Sequence, residues 1–243
     1  MKWKFAALVA TLLLSACGQE DVTPAVAATD AAAHQTPLPG PVMGDEQVIL
    51  AMGDSLFAGY GLEPGQSYPT RLEAALRARG INARIVNAGV SGDTTADGLQ
   101  RLDFALNSLP HPPALVIVSL GGNDMLRAVP PGETRANLDA LLGKLDARGV
   151  RAVLLGMKAA PNLGADYQSK FDPIYADLAR RHGAGLVPFF LEPVYNQPQL
   201  IQADHIHPTL AGIDQLVAST VETVAAALPP AKGRANAAAP TLR

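Results

Sequence analysis

Ser55 stands in Gly53-Asp54-Ser55-Leu56, directly after the apolar run Val48-Ile49-Leu50-Ala51-Met52. A short aliphatic run closed by glycine reads as a buried parallel strand, so the serine falls where a strand gives way to a loop and then a helix. In an open α/β sheet that carboxyl edge is where ligands bind. A serine there is a candidate nucleophile for acyl transfer, provided a base and oxyanion donors converge on it. Taken alone, Gly-Asp-Ser is equally a loop turn or a helix cap. The Gly-x-Ser-x-Gly nucleophile elbow of the α/β-hydrolases occurs nowhere in the chain.

Three further blocks carry residue types that such chemistry needs. Asn87-Ala88-Gly89-Val90-Ser91-Gly92-Asp93-Thr94-Thr95 follows a second strand-like run. Its glycines let backbone N–H groups approach a ligand, and one of those amides could donate to an oxyanion. The bland alternative is a β–α turn with Thr94 or Thr95 capping the next helix. Gly121-Gly122-Asn123-Asp124 ends a third run. The Asn123 amide offers an uncharged donor, or else it is only an Asx-type turn residue. Last comes Asp204-His205-Ile206-His207-Pro208. Pro208 holds His207 extended and suits a helix start. The three-residue offset can set the Asp204 carboxylate against one ring nitrogen of His207 and leave the other to face Ser55. His205, the alternate residue of an extended segment, is expected to point away. No second cluster with ligand spacing accompanies these residues, so a metal site is not expected.

These blocks need a scaffold that brings four junctions together. Strand-like runs at 48–52, 83–87, 114–120, 151–156 and 185–188 alternate with helical patterns. One helix is opened by Ser67 and ends near Gly80, and others cover 95–109, 134–148, 171–182 and 210–228. Alternation of this kind predicts an α/β fold: a parallel sheet with right-handed crossovers inside a three-layer sandwich. Strand order is not readable from the pattern.

The 243 residues, 48% of them apolar, suffice for one sizeable core. A formal net charge of -3 and the lack of a dense Lys/Arg cluster remove the electrostatic basis for nucleic-acid binding. Lys2 and Lys4 precede an apolar stretch over 5–14, too short to span a bilayer. Leu14-Ser15-Ala16-Cys17 then resembles a bacterial lipobox, which implies cleavage before Cys17 and its lipidation. An ordinary secretory leader is the alternative. Cys17 is the only cysteine, so no intramolecular disulfide can form. The expected organisation is a signal peptide at 1–17, an Ala/Pro-rich spacer at 18–46, the catalytic body at 47–229 and a disordered tail at 230–243. Gly18, in place of an aspartate, favours the outer over the inner membrane of a bacterial envelope, with the body facing the periplasm.

Together, in this order and each at a strand-to-loop junction, the four blocks resemble the SGNH (GDSL-type) hydrolase family, most nearly its thioesterase/lysophospholipase and arylesterase members. The resemblance spans the whole body. It implies a five-stranded parallel sheet in the flavodoxin-like order 2-1-3-4-5. It makes Ser55 the nucleophile, His207 the general base and Asp204 its orienting acid. The Ser55 amide, the Gly92 amide and the Asn123 side chain become the oxyanion donors. The loop at Ala160-Pro161 would lie near an acyl groove, and Ala160 stands where the family carries a bulkier apolar residue, so acyl preference does not transfer. Leu56, Phe57, Tyr60, Met125 and Leu126 could line that groove or belong to the core. Phe57 and Tyr60 follow Ser55 at helical offsets, so at least one should face inward.

The expected function is hydrolysis of carboxylic esters, and of thioesters or lysophospholipids, through an acyl-enzyme. A carbohydrate O-acetylesterase is the alternative enzyme, and a silent lipid-binding lipoprotein the alternative outside enzymes. The expected partners are a small-molecule or lipid ester and, through Cys17, the membrane. No nucleic acid and no metal or organic cofactor is expected, and the protein is expected to be monomeric.

Overall fold

The computed structural model describes Val42 and residues 44–230. The expected leader, Cys17, the spacer up to residue 41 and the tail from 231 lie outside the described residues. Five parallel strands form one sheet: β1 (Gln47–Gly53), β2 (Ala83–Gly89), β3 (Leu115–Ser119), β4 (Ala152–Leu155) and β5 (Gly185–Val187). Their order is β2-β1-β3-β4-β5, the flavodoxin-like arrangement that the resemblance implied. β1 and β3 are central, and β3 together with the last five residues of β1 is buried on both faces, which is why they read as unbroken aliphatic runs.

Eight α-helices surround the sheet among the described residues: α1 (Ser55–Ala58), α2 (Tyr68–Ala78), α3 (Thr95–Asn107), α4 (Gly122–Leu126), α5 (Pro131–Ala147), α6 (Gly164–Phe171), α7 (Ile174–His182) and α8 (Leu210–Ala227). α2 and α8 pack together on one face, while α3, α5 and α7 cover the other. None of the described helices is long and apolar enough to cross a membrane.

Two features differ from the sequence reading. The helix expected over 171–182 starts later, as α7 at Ile174. A helix the pattern did not mark, α6, precedes it and ends at Phe171, two residues before Pro173, which has no N–H with which to continue it. α1 and α4 are single turns, too short for periodicity to reveal, and both carry site residues. Ser55 is therefore the first residue of a helix and not part of a loop.

Register delivers the site. Gly53 pairs with Gly89 on one side and with Ser119 on the other, so three strands end level and release their loops onto one rim. The β1-to-β2 and β2-to-β3 crossovers run in opposite directions across the sheet, and the crevice opens at that switch point. Below it, Phe57 is fully buried and stacks on Tyr68 with ring centroids 5.2 Å apart, and Phe190 meets Tyr68 edge-on at 4.9 Å. Each buried aromatic contributes about 1.5–3 kcal/mol of transfer free energy to holding α1 on the sheet. A Cβ on Gly53 would come within 2.6 Å of the Phe57 ring, so only glycine lets the turn fold down this closely.

Candidate active site

The imidazole of His207 bridges two groups. Its Nε2 lies 2.8 Å from Ser55 Oγ, and its Nδ1 lies 2.6 Å from Asp204 Oδ2. The other oxygen of Asp204 accepts the backbone N–H groups of Ile206 at 2.9 Å and His207 at 3.0 Å. The carboxylate thus shapes the loop as an Asx turn and orients the ring within it. An antiparallel bridge between Ile201 and Pro208 closes the loop, and the Gln202 N–H donates to the His207 carbonyl at 2.7 Å. The His207 backbone N–H, then its ring, then the Ile206 N–H hold the Asp204 carboxyl down at about 2. It therefore stays ionised across any working range.

His205 departs from expectation. It adopts a left-handed φ of 61° and lines the cavity, because the Asx turn breaks the alternation of an extended strand. Of the aromatic pair after Ser55, Phe57 faces the core. Tyr60, 54% exposed, lies against the His207 ring with centroids 4.5 Å apart.

Three donors face the same rim. Ser55 opens α1, where a first-turn N–H has no intrahelical acceptor. Gly92 holds a φ of 89°, which a glycine adopts without strain and which turns the loop after β2 toward the cavity. Among the described residues, neither the Ser55 nor the Gly92 N–H has a protein acceptor. Asn123, in the first turn of α4, donates through Nδ2 to the Asp93 carbonyl at 2.9 Å and, in a longer contact, to Asp54 Oδ2 at 3.4 Å. The N–H in the longer contact is the one that can turn to a ligand. Thr94 caps α3 in a capping box with Asp97, so the block after β2 serves the helix and the site at once.

Asp54 is the N-cap of α1. Its Oδ1 accepts the Leu56 N–H at 3.0 Å, and its Oδ2 lies 3.4 Å from Asn123 Nδ2. Burial pushes its carboxyl up to about 6, against the opposing pull of the Leu56 N–H and His207. The folded state then holds this proton more tightly than the unfolded chain does, so stability declines as pH rises from about 4 through about 6. At 1.36 kcal/mol per pKa unit, the ionised group costs about 3 kcal/mol at neutral pH. Asp54→Asn keeps the cap and removes the charge. It is expected to raise the melting temperature at pH 7, with the gain shrinking toward pH 4; equal shifts at both pH values would contradict this assignment.

The cavity at this rim measures about 420 Å³. Of the residues that could line a groove or belong to the core, Leu56, Tyr60, Met125 and Leu126 line it, together with Ser55, Gly92, Asn123 and His207. Ala160 and Pro161 do not line it; the Ala160 N–H sits 3.2 Å from the Met125 sulfur, behind that wall. The rest of the apolar wall comes from Met157, Leu191, Val194, Tyr195, Ile201 and Ile206. Most of these lie in the irregular segment between β5 and α8, where no periodicity marks a common face. The only signal was their apolar type beside the Asp204 block. Among the described residues no group of three His, Cys, Asp or Glu side chains could hold a metal ion.

A hydroxyl, an imidazole and a carboxylate in line at the switch point of a parallel sheet define a serine hydrolase site in an α/β/α sandwich. The chain belongs to the GDSL-like lipase/acylhydrolase family, whose model matches residues 51–214. Esterase TesA of Pseudomonas aeruginosa is 40% identical over 178 residues, which are 73% of this chain and 88% of that protein. Thioesterase 1/protease 1/lysophospholipase L1 of Escherichia coli K12 is 38% identical over 160 residues, 66% of this chain and 74% of the relative. Among solved structures, the SGNH-hydrolase family esterase AlinE4 is 60% identical, with a TM-score of 0.66 over 77% of this chain and 99% of that one.

Proposed function

We propose that this chain hydrolyses carboxylic esters by two-step acyl transfer. The reading rests on one observation, the unbroken contact from Asp204 through His207 to Ser55 at 2.6 and 2.8 Å. His207 takes the Ser55 proton as Oγ attacks the ester carbonyl, and the carbonyl π electrons move onto oxygen. The Ser55 N–H, the Gly92 N–H and the Asn123 side-chain N–H, turned from its long contact with Asp54, receive that oxyanion. Collapse expels the alcohol or thiol, which takes the proton back from His207, and leaves an acyl-Ser55 ester. Water then repeats the sequence, with His207 as base, and releases the acid. Asp204 holds the ring in the productive tautomer and balances the imidazolium charge.

The wall of the cavity is apolar, so the acyl chain lies there and the leaving group toward solvent. Each CH₂ buried is worth about 0.8 kcal/mol, so kcat/KM is expected to be higher for a medium-chain ester than for an acetate. A panel of acetyl, medium- and long-chain p-nitrophenyl esters, an acyl thioester, a lysophospholipid and an acetylated sugar tests this. Preference for the acetylated sugar would overturn the acyl-groove reading. A fluorophosphonate probe should label one residue, Ser55; a label elsewhere would overturn the assignment of the nucleophile.

Asn123→Ala is expected to lower kcat by about 10²–10³ with KM little changed, because its side-chain N–H acts on the developing oxyanion. A rise in KM alone would remove it from that role.

Lipidation of Cys17, a place in the cell envelope with the body facing the periplasm, attachment to the outer membrane and a monomeric state complete the reading, supported by the leader and lipobox. Metabolic labelling with an alkyne fatty acid, lost in Cys17→Ala, tests the anchor.

A further inference from the structure

We propose that Arg101 is the positioning residue of the oxyanion hole, holding its three donors in register; this rests on the acyl-transfer reading above. The donors come from separate pieces of chain: Ser55 from α1 after β1, Gly92 from the loop after β2, and Asn123 from α4 after β3. Strand register brings these pieces to one rim, but donors must be set far more finely than loop ends usually are. Arg101, on the second turn of α3, reaches across them. Its Nη2 donates to the Gly53 carbonyl at 2.9 Å, two residues before Ser55. Its Nε donates to the Asp93 carboxylate, next to Gly92. The main-chain carbonyl of that same Asp93 accepts the Asn123 amide at 2.9 Å.

One guanidinium thus ties the end of β1 to the oxyanion loop and, through a single peptide, to Asn123. The fork is planar and fixes two acceptors at once, which a point charge cannot do. The pair is shielded, with side-chain exposures of 22% for Arg101 and 11% for Asp93, so water does not loosen it. Nη1 rests 3.7 Å from the Met52 sulfur and completes the seat. Arg127, the C-cap of α4, also ties the Asn123 segment to the oxyanion loop, through the Gly92 carbonyl at 2.8 Å, but it is exposed and makes no contact with the Ser55 segment.

A purely structural ion pair would lower the melting temperature and leave the kcat of the folded enzyme unchanged. A positioning role predicts otherwise. Arg101→Lys keeps the charge beside Asp93 but cannot span to Gly53 as well. It should lower kcat by about tenfold or more while KM stays within about twofold, measured well below its melting transition. Arg101→Ala leaves a guanidinium-shaped space, and millimolar guanidinium ion, far below denaturing levels, should restore part of kcat where ammonium does not. If that variant fails to fold, a double-mutant cycle decides: Arg101→Lys should cost clearly less in the Asn123→Ala background than in the parent, because both changes damage one device. An unchanged kcat in folded Arg101→Lys, or full additivity with Asn123→Ala, would overturn the proposal. These outcomes are separable from failure of the acyl-transfer reading, which would show instead as persisting turnover in Ser55→Ala.

Discussion

Ser55→Ala is expected to lower kcat by about six orders of magnitude, the loss seen when the nucleophile of a comparable triad is removed. The change deletes the atom that forms the acyl bond, so no slower version of the same pathway remains. What persists is water attack assisted by the oxyanion donors, at about 10³–10⁴ over the uncatalysed rate. Little structural damage should follow. The Ser55 side chain makes one hydrogen bond, to His207, and α1 is held by the buried Phe57 and Leu56 and by the Asp54 cap. The melting transition and near-ultraviolet circular dichroism should therefore match the parent, while fluorophosphonate labelling and acyl-enzyme trapping both disappear. Residual turnover within a hundredfold of the parent would remove Ser55 from the mechanism.

Asp204→Asn should be nearly as damaging to turnover, about 10⁴-fold in kcat with KM little affected, by analogy with the same change in a serine protease triad. The carboxylate accepts from Nδ1 of His207 at 2.6 Å and so fixes the proton on that nitrogen, leaving Nε2 free to take one from Ser55. An amide at this position can donate to Nδ1, which drives the proton to Nε2, where it faces the serine and blocks transfer. The carboxyl is held at about 2, so its charge persists throughout the range in which the enzyme can be assayed. Asp204 itself does not change charge within that range. The Asn variant should accordingly be slow at every pH rather than shifted along the pH axis. A profile that recovers fully at high pH would show that only the charge mattered.

The two variants separate the parts of the device. Ser55→Ala leaves the imidazole and carboxylate paired, and Asp204→Asn leaves the nucleophile and the oxyanion donors in place. Asn123→Ala removes one donor from an otherwise complete triad. Their effects should fall well short of additive, because each missing member already idles the others.

Much of this was legible in the chain itself. Local rules are short-ranged, and the strands, their glycine-bounded ends and the four polar blocks all express themselves within a few residues. The aliphatic runs of β1 and β3 marked strands buried on both faces, and Pro208 beside His207 marked a loop leading into a helix. The family likeness then supplied the strand order. Legibility stopped where tertiary contact overrode local pattern. An Asx turn around Asp204 sets the exposed His205 at a left-handed φ on the edge of the cavity, against the alternation of an extended segment. Pro173 sets the start of α7 after the expected 171, and α6, which the periodicity did not mark, lies ahead of it. The apolar wall drawn from Leu191, Val194, Tyr195, Ile201 and Ile206 follows no period because its backbone is neither helix nor strand.

By itself, then, the amino-acid sequence determined the layered α/β fold and which side chains are chemically able to move a proton, attack a carbonyl or hold an oxyanion. Only the tertiary structure decided the distances among them and the supports behind them. The level strand ends at Gly53, Gly89 and Ser119, the burial that pushes Asp54 up, and the reach of Arg101 from α3 to two other loops are products of packing between segments far apart in the chain. Residue type and spacing encode what a group can do. Burial and cross-chain contact set whether it is placed and charged to do it.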